Sequence, residues 1–269
     1  MIADETGRPL VQHVADQVLK CRRVGRVIVA ADDKRIVEAL RPFRTECVMT
    51  AASHQSGTDR IAEVVRGMED GIIVNVQGDE PEIEPEVVDG LIAAMEDGAW
   101  DMATAATEFP LGADAGDPNL VKVVMGMDGR ALYFSRSAIP FHRDVVLSGT
   151  DGASRSTGVS PVVMAANTGE TPVLRTPPKT SAGGLAYYLH LGIYAYRRAF
   201  LLEFAAWAPT PLESAEKLEQ LRVLEHGRPI FVLKVKRASH GIDTPGQYAD
   251  FVRRHRAGAG PARARSELR

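Results

Sequence analysis

The chain has 269 residues, of which 45% are hydrophobic, and a formal net charge of -3 at pH 7. These values suit one large α/β domain or two small ones and give no whole-chain attraction to nucleic acid or membranes. There is no apolar run of about 18 residues and no basic start followed by an apolar segment, so we expect neither a membrane span nor a signal peptide. The two cysteines, Cys21 and Cys47, lack metal-ligand spacing and predict free thiols in a cytoplasmic protein.

The first hundred residues alternate amphipathic helices with short apolar strands. This alternation predicts a parallel sheet that is covered by helices on both faces. In chain order, the pattern predicts a helix over 11–19, a strand over 27–30, a helix over 36–40, a strand over 47–50, a helix over 61–65, a strand over 72–76 and a helix over 87–92.

The later part of the chain is richer in strands, which predicts an antiparallel addition to the sheet. A single helix is predicted over 212–226, with Leu218, Leu221 and Leu224 on its apolar side. The predicted strands lie at 121–125, 131–135, 189–196 and 230–235.

Two regions break this pattern. Residues 148–184 are rich in Gly, Ser, Thr and Pro, and they predict a disordered insert rather than a functional lid because ordered loops are rarely this long. Residues 253–269 are rich in Arg, Ala and Gly and predict a flexible basic tail; nucleic-acid binding is not expected, because no aromatic residues are interleaved for base stacking. Residues 1–252, apart from the insert, are therefore predicted to form one domain.

Polar residues follow the strand predicted over 72–76, where the chain continues as Gln77, Gly78, Asp79 and Glu80. Ligands of open α/β sheets bind outside the carboxyl ends of the strands. A carboxylate at this position can hold Mg²⁺, which takes few protein ligands and shares the rest with phosphates and water. The alternative is a turn or a helix-capping carboxylate, and local sequence leaves both open.

Asp243 is the second candidate ligand, since it follows the last predicted strand and precedes Pro245. It can instead cap the helix that Pro245 begins. The two uses are compatible because different lone pairs of one carboxylate serve each.

Small residues at Ser56 and Gly57 open another helix, whose free N–H groups can bind an anion or a base edge. A plain N-cap at Ser56 or Thr58 is the commoner use of such residues.

Two strands carry further candidates. Arg136 ends an apolar strand and suits bidentate binding of a carboxylate, with a surface ion pair as the alternative. Strand alternation places His190 on one face with Gly192 and Tyr194. A lone histidine on a strand is more often a structural residue than a ligand.

The order of these motifs resembles that of the 3-deoxy-manno-octulosonate cytidylyltransferases, also called CMP-Kdo synthetases. The matching blocks span nearly the whole chain apart from the insert and the tail. They are HQSGTDR at 54–60, VNVQGDEP at 74–81, DPNLVKVV at 117–124, ALYFSR at 131–136, HLGIY at 190–194, PLE at 211–213, LEQLR at 218–222 and GIDTP at 241–245.

The resemblance implies a three-layer α/β nucleotidyltransferase fold with a mostly parallel mixed sheet and a homodimer. It implies transfer of CMP from CTP to 3-deoxy-D-manno-octulosonate (Kdo), which gives pyrophosphate and the CMP-Kdo used in lipopolysaccharide biosynthesis. Asp79 and Asp243 match the family's catalytic, magnesium-binding acids. The other matching positions imply sugar binding by Gln77, Arg136, His190 and Glu219 and nucleotide binding by Ser56, Gly57 and Arg60.

The start of the chain departs from the family pattern. The family begins with a strand and a basic loop that holds the triphosphate, whereas residues 1–10 match the segment just after that loop. We therefore expect this strand and loop to be lacking, which makes the activity of the chain as given an open question. Two other functions also stay open: a cytidylyltransferase for another acid sugar, such as a sialic acid, and a noncatalytic dimerising member of the family.

Overall fold

The computed structural model describes residues 2–54, 56–110, 112–141, 187–237 and 241–258. The insert predicted over 148–184 lies outside these ranges, and so does the end of the predicted tail.

Strands and helices alternate along the first half of the chain, as predicted. The strands are β1 (Val29–Ala31), β2 (Cys47–Met49), β3 (Ile72–Asn75), β4 (Met102–Glu108), β5 (Lys122–Met125), β6 (Ala131–Ser135), β7 (Tyr188–Arg197) and β8 (Phe231–Val235). The helices are α1 (Leu10–Val18), α2 (Lys34–Leu40), α3 (Gly57–Val65), α4 (Pro85–Glu96), α5 (Arg198–Ala205), α6 (Pro211–Glu216), α7 (Gln220–Glu225) and α8 (Pro245–Arg256), with a 3₁₀ turn at Arg41–Phe43.

The main sheet is mixed. Its order is β6-β5-β7-β4-β8, with β3 paired to β7, while β1 and β2 form a separate parallel pair. β3, β4, β5 and β8 all run in one direction, but β7 lies antiparallel among them. Most neighbouring pairs in this sheet are therefore antiparallel, although most of its strands share a direction.

The two faces of β7 bury separate hydrophobic cores. Leu191 and Ile193 pack with Leu91 of α4, whereas Tyr196 packs on the opposite side with Phe204 of α5. Burying a side chain of this size stabilises the fold by about 1.5–3 kcal/mol. Helices thus cover both faces of the sheet and give the expected three layers.

The helix α8 packs against the start of α1. Phe251 and Val252 of α8 pack against Leu10, the first residue of α1. The helix continues to Arg256. The predicted tail therefore starts too early, since residues 253–256 are helical and present the Arg and His side chains of the last turn.

The sequence pattern failed at three places. It did not predict the helix α5. The strand β4 was missed because Ala, which is common in it, has low β-propensity, yet six of its seven residues are buried between β7 and β8. The single helix predicted over 212–226 is two helices. Lys217 separates them with a left-handed backbone (φ 53°). Lysine rarely adopts this conformation, so the sequence did not predict the break.

Candidate functional site

The turn after β3 lies over a glycine of β7. The Gln77 side chain donates from Nε2 to the carbonyl oxygen of Gly192 at 3.5 Å. A Cβ added to Gly192 would lie 3.9 Å from Gln77 Cγ and 4.0 Å from Glu80 Oε1. Because glycine leaves this strand surface open, Gln77 and Glu80 sit directly against the β7 backbone.

The two candidate metal ligands come together through the backbone. The N–H of Ile242 donates to the carbonyl oxygen of Asp79 at 2.8 Å, which fixes the segment before α8 beside the turn after β3. Burial raises the pKa of Asp79, and the negative charge of Asp243 raises it further. The two carboxylates are therefore near enough to repel each other.

Asp243 does not cap the helix that follows it. The N-cap is Thr244, whose hydroxyl accepts from the N–H of Gln247, with Pro245 in the first turn as predicted. The capping alternative for Asp243 is therefore wrong, and its exposed carboxylate has no hydrogen-bond partner among the described residues.

At the start of α3, the N-cap and a second polar contact are made by different residues. Ser56 is the N-cap and accepts from the N–H of Asp59 at 3.1 Å. A Cβ on Gly57 would lie 3.9 Å from the side-chain amide of Asn75, the last residue of β3. Thr58 is not the cap, so its buried hydroxyl is free to bond elsewhere.

The Thr58 hydroxyl donates to Glu219 Oε2 at 2.7 Å. The other oxygen of this carboxylate, Oε1, is buried and has no partner among the described residues. Glu219 also raises the pKa of Tyr194 and of Tyr196, although burial is the larger cause for both phenols. A half-satisfied carboxylate thus faces the aromatic side of β7.

His190 lies on the predicted face of β7, because its ring contacts that of Tyr194, with centroids 5.5 Å apart. The rings of Phe134 and His190 are T-shaped, with centroids 4.9 Å apart. His190 Nε2 lies 3.0 Å from the hydroxyl of Thr104 in β4. Burial lowers the pKa of His190 to about 3, so the ring is neutral at physiological pH.

Arg136 is held by main-chain carbonyls, and in the described part of the chain it forms no ion pair. Its Nε donates to the Glu216 carbonyl and its Nη1 to the Pro118 carbonyl, both at 2.7 Å, and its Nη2 lies 3.4 Å from the Lys217 carbonyl. A guanidinium has five N–H donors, so two have no partner among the described residues. The surface ion-pair alternative is not observed among the described side chains.

The Arg60 guanidinium contacts residues that follow the two-stranded sheet. It contacts the Asp32 carboxylate at 2.8 Å and the Thr50 hydroxyl at 2.9 Å, just after β1 and β2. It therefore joins the start of α3 to the carboxyl ends of the two-stranded sheet. The structure brings Gln77, Asp79, His190, Glu219 and Asp243 onto the turns and strand face around β7, with Arg136 and Arg60 at the margins.

Two carboxylates are the only acids that these contacts bring together for a metal. Among the described ranges, no group of three or more His, Cys, Asp or Glu side chains is placed to hold a metal ion. A dedicated protein cage is therefore absent from the described part. A repelling pair such as Asp79 and Asp243 fits Mg²⁺, which uses one or two carboxylates together with substrate phosphates.

Two threonines were missed as site residues. Thr58 was considered only as a cap, and Thr104 lies in the strand that was not predicted. A sequence signal existed for Thr58, which stands between two residues assigned to the nucleotide. None existed for Thr104, because its partner His190 is 86 residues away.

A family model described as cytidylyltransferase matches residues 2–230, so the chain is a cytidylyltransferase by class. It is 43% identical over 254 residues to a 3-deoxy-manno-octulosonate cytidylyltransferase of Geotalea daltonii, covering 94% of this chain and 90% of that protein. A Geobacter metallireducens protein with the same name is 44% identical over 252 residues, covering 93% and 89%. The chain belongs to the 3-deoxy-manno-octulosonate cytidylyltransferase family.

Solved structures agree with this assignment and confirm the fold class. A CMP:2-keto-3-deoxy-manno-octonic acid synthetase complexed with CTP has a TM-score of 0.78 and 33% identity, covering 96% of this chain and 91% of that one. A 4-diphosphocytidyl-2C-methyl-D-erythritol synthase from Anaerococcus prevotii has a TM-score of 0.52 at 12% identity, covering 93% and 87%, and supports the fold alone.

The comparisons also bear on one expectation. They do not support the expected lack of the family's first strand and triphosphate-binding loop, since the chain covers 90% and 89% of the two relatives. No helix in the described ranges combines the length and the apolar character that a membrane crossing needs.

Proposed function

We propose that this chain transfers CMP from CTP to Kdo, giving CMP-Kdo and pyrophosphate for lipopolysaccharide biosynthesis. The observation that carries the proposal is the 43% identity to a 3-deoxy-manno-octulosonate cytidylyltransferase across 94% of the chain. In this reaction the anomeric hydroxyl oxygen bonds to the α-phosphorus of CTP and loses its proton. The bond from that phosphorus to the oxygen shared with the β-phosphate breaks, and pyrophosphate leaves.

Asp79 and Asp243 would hold Mg²⁺, and their mutual repulsion supports this role because a divalent cation between them removes it. When bound, Mg²⁺ supplies positive charge for the phosphate oxygens and lowers the pKa of a coordinated hydroxyl. The chain contributes the spacing of the two acids, which the bond between Ile242 and the Asp79 carbonyl sets.

Gln77, Glu219 and His190 would bind the sugar. They present an amide, a half-satisfied carboxylate and a neutral imidazole around one face of β7. Groups of this kind suit a molecule with many hydroxyls. Arg136, with two donors left, would offset the sugar's own carboxylate from the margin.

Ser56 and Gly57 would lie against the cytosine at the start of α3. Their support is the absence of a side chain at Gly57, which leaves the helix N-terminus open beside Asn75. Arg60 would act less directly, because its guanidinium already bonds Asp32 and Thr50. We also propose a homodimer and a cytoplasmic location, which sedimentation and cell fractionation can test.

The test is pyrophosphate release from CTP and Kdo in the presence of Mg²⁺. We expect release that requires both substrates and stops when the metal is chelated. UTP and ATP in place of CTP, and a sialic acid in place of Kdo, should give much slower release. Faster turnover of the sialic acid would identify a different sugar substrate, and no release from any pair would favour the noncatalytic alternative.

Asp243→Asn is the matched test of the metal proposal. We expect at least a hundredfold loss of turnover, because a preorganised charge-stabilising group is typically worth about 10²–10³ in rate. Asp250→Asn, on the helix that follows Asp243 and already paired with Arg253, is the control and should keep activity. Equal activity of the two variants would contradict the role of Asp243.

A further inference from the structure

The contact between β4 and β7 decides which ring nitrogen of His190 carries its proton. The pairing of β4 with β7 shifts register between Thr104 and Ala105, and this irregularity disrupts the ladder at residues 192 and 193. The hydroxyl of Thr104, fully buried, lies at the shift. It is 2.7 Å from the Ile193 carbonyl, 3.2 Å from the Leu191 carbonyl and 3.0 Å from His190 Nε2.

A hydroxyl has one proton to donate, and the two carbonyl oxygens can only accept. The shortest contact, to the Ile193 carbonyl, takes that proton. The contact with His190 is then a hydrogen bond only if Nε2 donates to the hydroxyl oxygen. The opposite assignment would place two oxygens 2.7 Å apart with no proton between them.

We propose that Thr104 fixes His190 as the Nε2–H tautomer, so that Nδ1 accepts a hydrogen bond from a hydroxyl of the sugar substrate. Thr104 acts through His190 and is a positioning residue. The sugar hydroxyl as donor rests on the proposed function. The tautomer rests only on contacts within this chain.

The environment of Nδ1 supports this use. None of the described residues bonds Nδ1. Within the described part of the chain His190 is half-buried, so the residue is not fully enclosed. Phe134 and Tyr194 flank the ring and restrict its rotation.

The tautomer selects the kind of group that His190 can recognise. A neutral ring with an unprotonated Nδ1 binds a donor, such as a hydroxyl, and repels a carboxylate oxygen. The carboxylate of the acid sugar must then lie elsewhere, and the free donors of Arg136 suit it. His190 thereby discriminates between hydroxylated and deoxy positions of the sugar rather than sensing its charge.

The first measurement is the tautomer itself. Long-range ¹H–¹⁵N correlation spectra of the uniformly labelled chain at neutral pH distinguish the protonated from the unprotonated ring nitrogen of each histidine. The chain has seven histidines, and the His190 signals are those missing from His190→Gln. We expect an unprotonated Nδ1 and a protonated Nε2. A protonated Nδ1 overturns the proposal, whether or not the chain turns over CTP and Kdo.

The second measurement uses Thr104→Val, which keeps the side-chain shape and removes the hydroxyl. We expect the KM for Kdo to rise roughly tenfold, the effect of one hydrogen bond, with the KM for CTP unchanged. Thr104→Ser should restore the tautomer and the KM for Kdo. Thr107→Val, another buried threonine of β4, is the control for loss of a hydroxyl from this strand.

The two measurements separate the possible failures. If His190 is the Nε2–H tautomer but the chain does not use Kdo, the proposed function is contradicted. The conclusion that Thr104 sets the tautomer of His190 still holds. A Thr104→Val variant that raises both KM values alike, or that matches Thr107→Val, would contradict the positioning role.

Discussion

Two half-buried glutamates six residues apart behave in opposite ways. Glu213, at the start of α6, has both oxygens bound to Arg222, with Nη2–Oε1 at 2.5 Å and Nε–Oε2 at 2.7 Å. Glu219, just before α7, receives one hydrogen bond from Thr58 and leaves a buried oxygen without a described partner. The charge of Glu213 is compensated by a cation within the fold, as expected for a structural acid. The charge of Glu219 is not compensated in this way by the described residues, as expected for an acid that binds a ligand.

The surroundings of the two glutamates reinforce the contrast. The hydrogen bonds that Arg222 donates to Glu213 raise the pKa of Arg222. The Arg222 guanidinium also donates to the Trp207 carbonyl and lies over the ring of Phe204. Glu219 instead lies near two phenols, whose pKa values rise through burial and through its charge. The first site is complete without a ligand. The second holds a negative charge that the described fold satisfies only in part.

The largest expected effect is on stability at the complete site. Glu213→Gln leaves the buried Arg222 charge uncompensated and should lower the free energy of unfolding by about 3 kcal/mol. Chemical denaturation measures this change. The turnover of the remaining folded protein should match that of the original chain. A loss of turnover without a loss of stability would reverse the roles of the two glutamates.

The second effect is on activity at the incomplete site. Glu219→Gln keeps an oxygen for Thr58 and removes the charge, so kcat/KM for Kdo should fall about 10–100-fold, as expected for a hydrogen bond to a charged group. The melting temperature should stay the same or rise, because a buried, half-satisfied charge costs stability. A fall in melting temperature as large as that of Glu213→Gln would place Glu219 among the structural acids.

The third effect concerns the hydrogen bond from Thr58 of α3 to Glu219, which lies just before α7. Thr58→Val removes the donor to Glu219 Oε2 and should cost about 1.5 kcal/mol of unfolding free energy. The KM for Kdo should rise with it. Thr58→Ser retains the hydroxyl and serves as the control, so the two variants behaving alike would mean that the hydrogen bond is not what matters.

The smallest effect extends the comparison to Asp79. Its folded-state pKa is raised by burial and by Asp243, so the folded chain binds this proton more tightly than the unfolded chain. The ionised group therefore destabilises the fold above its folded-state pKa, and the penalty shrinks as the pH falls from that value to the lower unfolded-state pKa. Asp79→Asn should raise the melting temperature at neutral pH, by a margin that shrinks in acid.

The control for Asp79 is an acid that has a cation. Asp33 caps α2, and its pKa is lowered to about 2 by its hydrogen bonds with Arg35. Asp33→Asn should lower the melting temperature at neutral pH, or leave it unchanged. Its effect should never have the sign expected for Asp79→Asn.

The sequence was sufficient for features that depend on local pattern. The face of His190 followed from strand alternation, and the acid after β3 followed from a buried run that ends in polar residues. Pro245 predicted the start of α8, although the cap proved to be Thr244 rather than Asp243. The order of the motifs, more than any one of them, indicated the family that the comparisons then showed.

Features that depend on contacts between distant segments could not be predicted. The carbonyls that hold Arg136 come from Pro118, Glu216 and Lys217, and the backbone of Lys217 is left-handed without a glycine to signal it. The strand β4 could not be predicted because it forms through burial between β7 and β8 and not through the β-propensity of its residues. The partners of Glu213 and Glu219 likewise follow from tertiary packing, so sequence alone could not tell the two apart.

The bond from the Ile242 N–H to the Asp79 carbonyl has a consequence for how such chains diverge. The main-chain N–H at position 242 makes this bond, while the Ile242 side chain packs against the core of Leu10, Phe251 and Val252. Apolar substitutions that keep this packing leave Asp243 in place, provided that an N–H remains. Proline is the one natural residue that evolution, or an engineer, cannot place at position 242 without cutting this link.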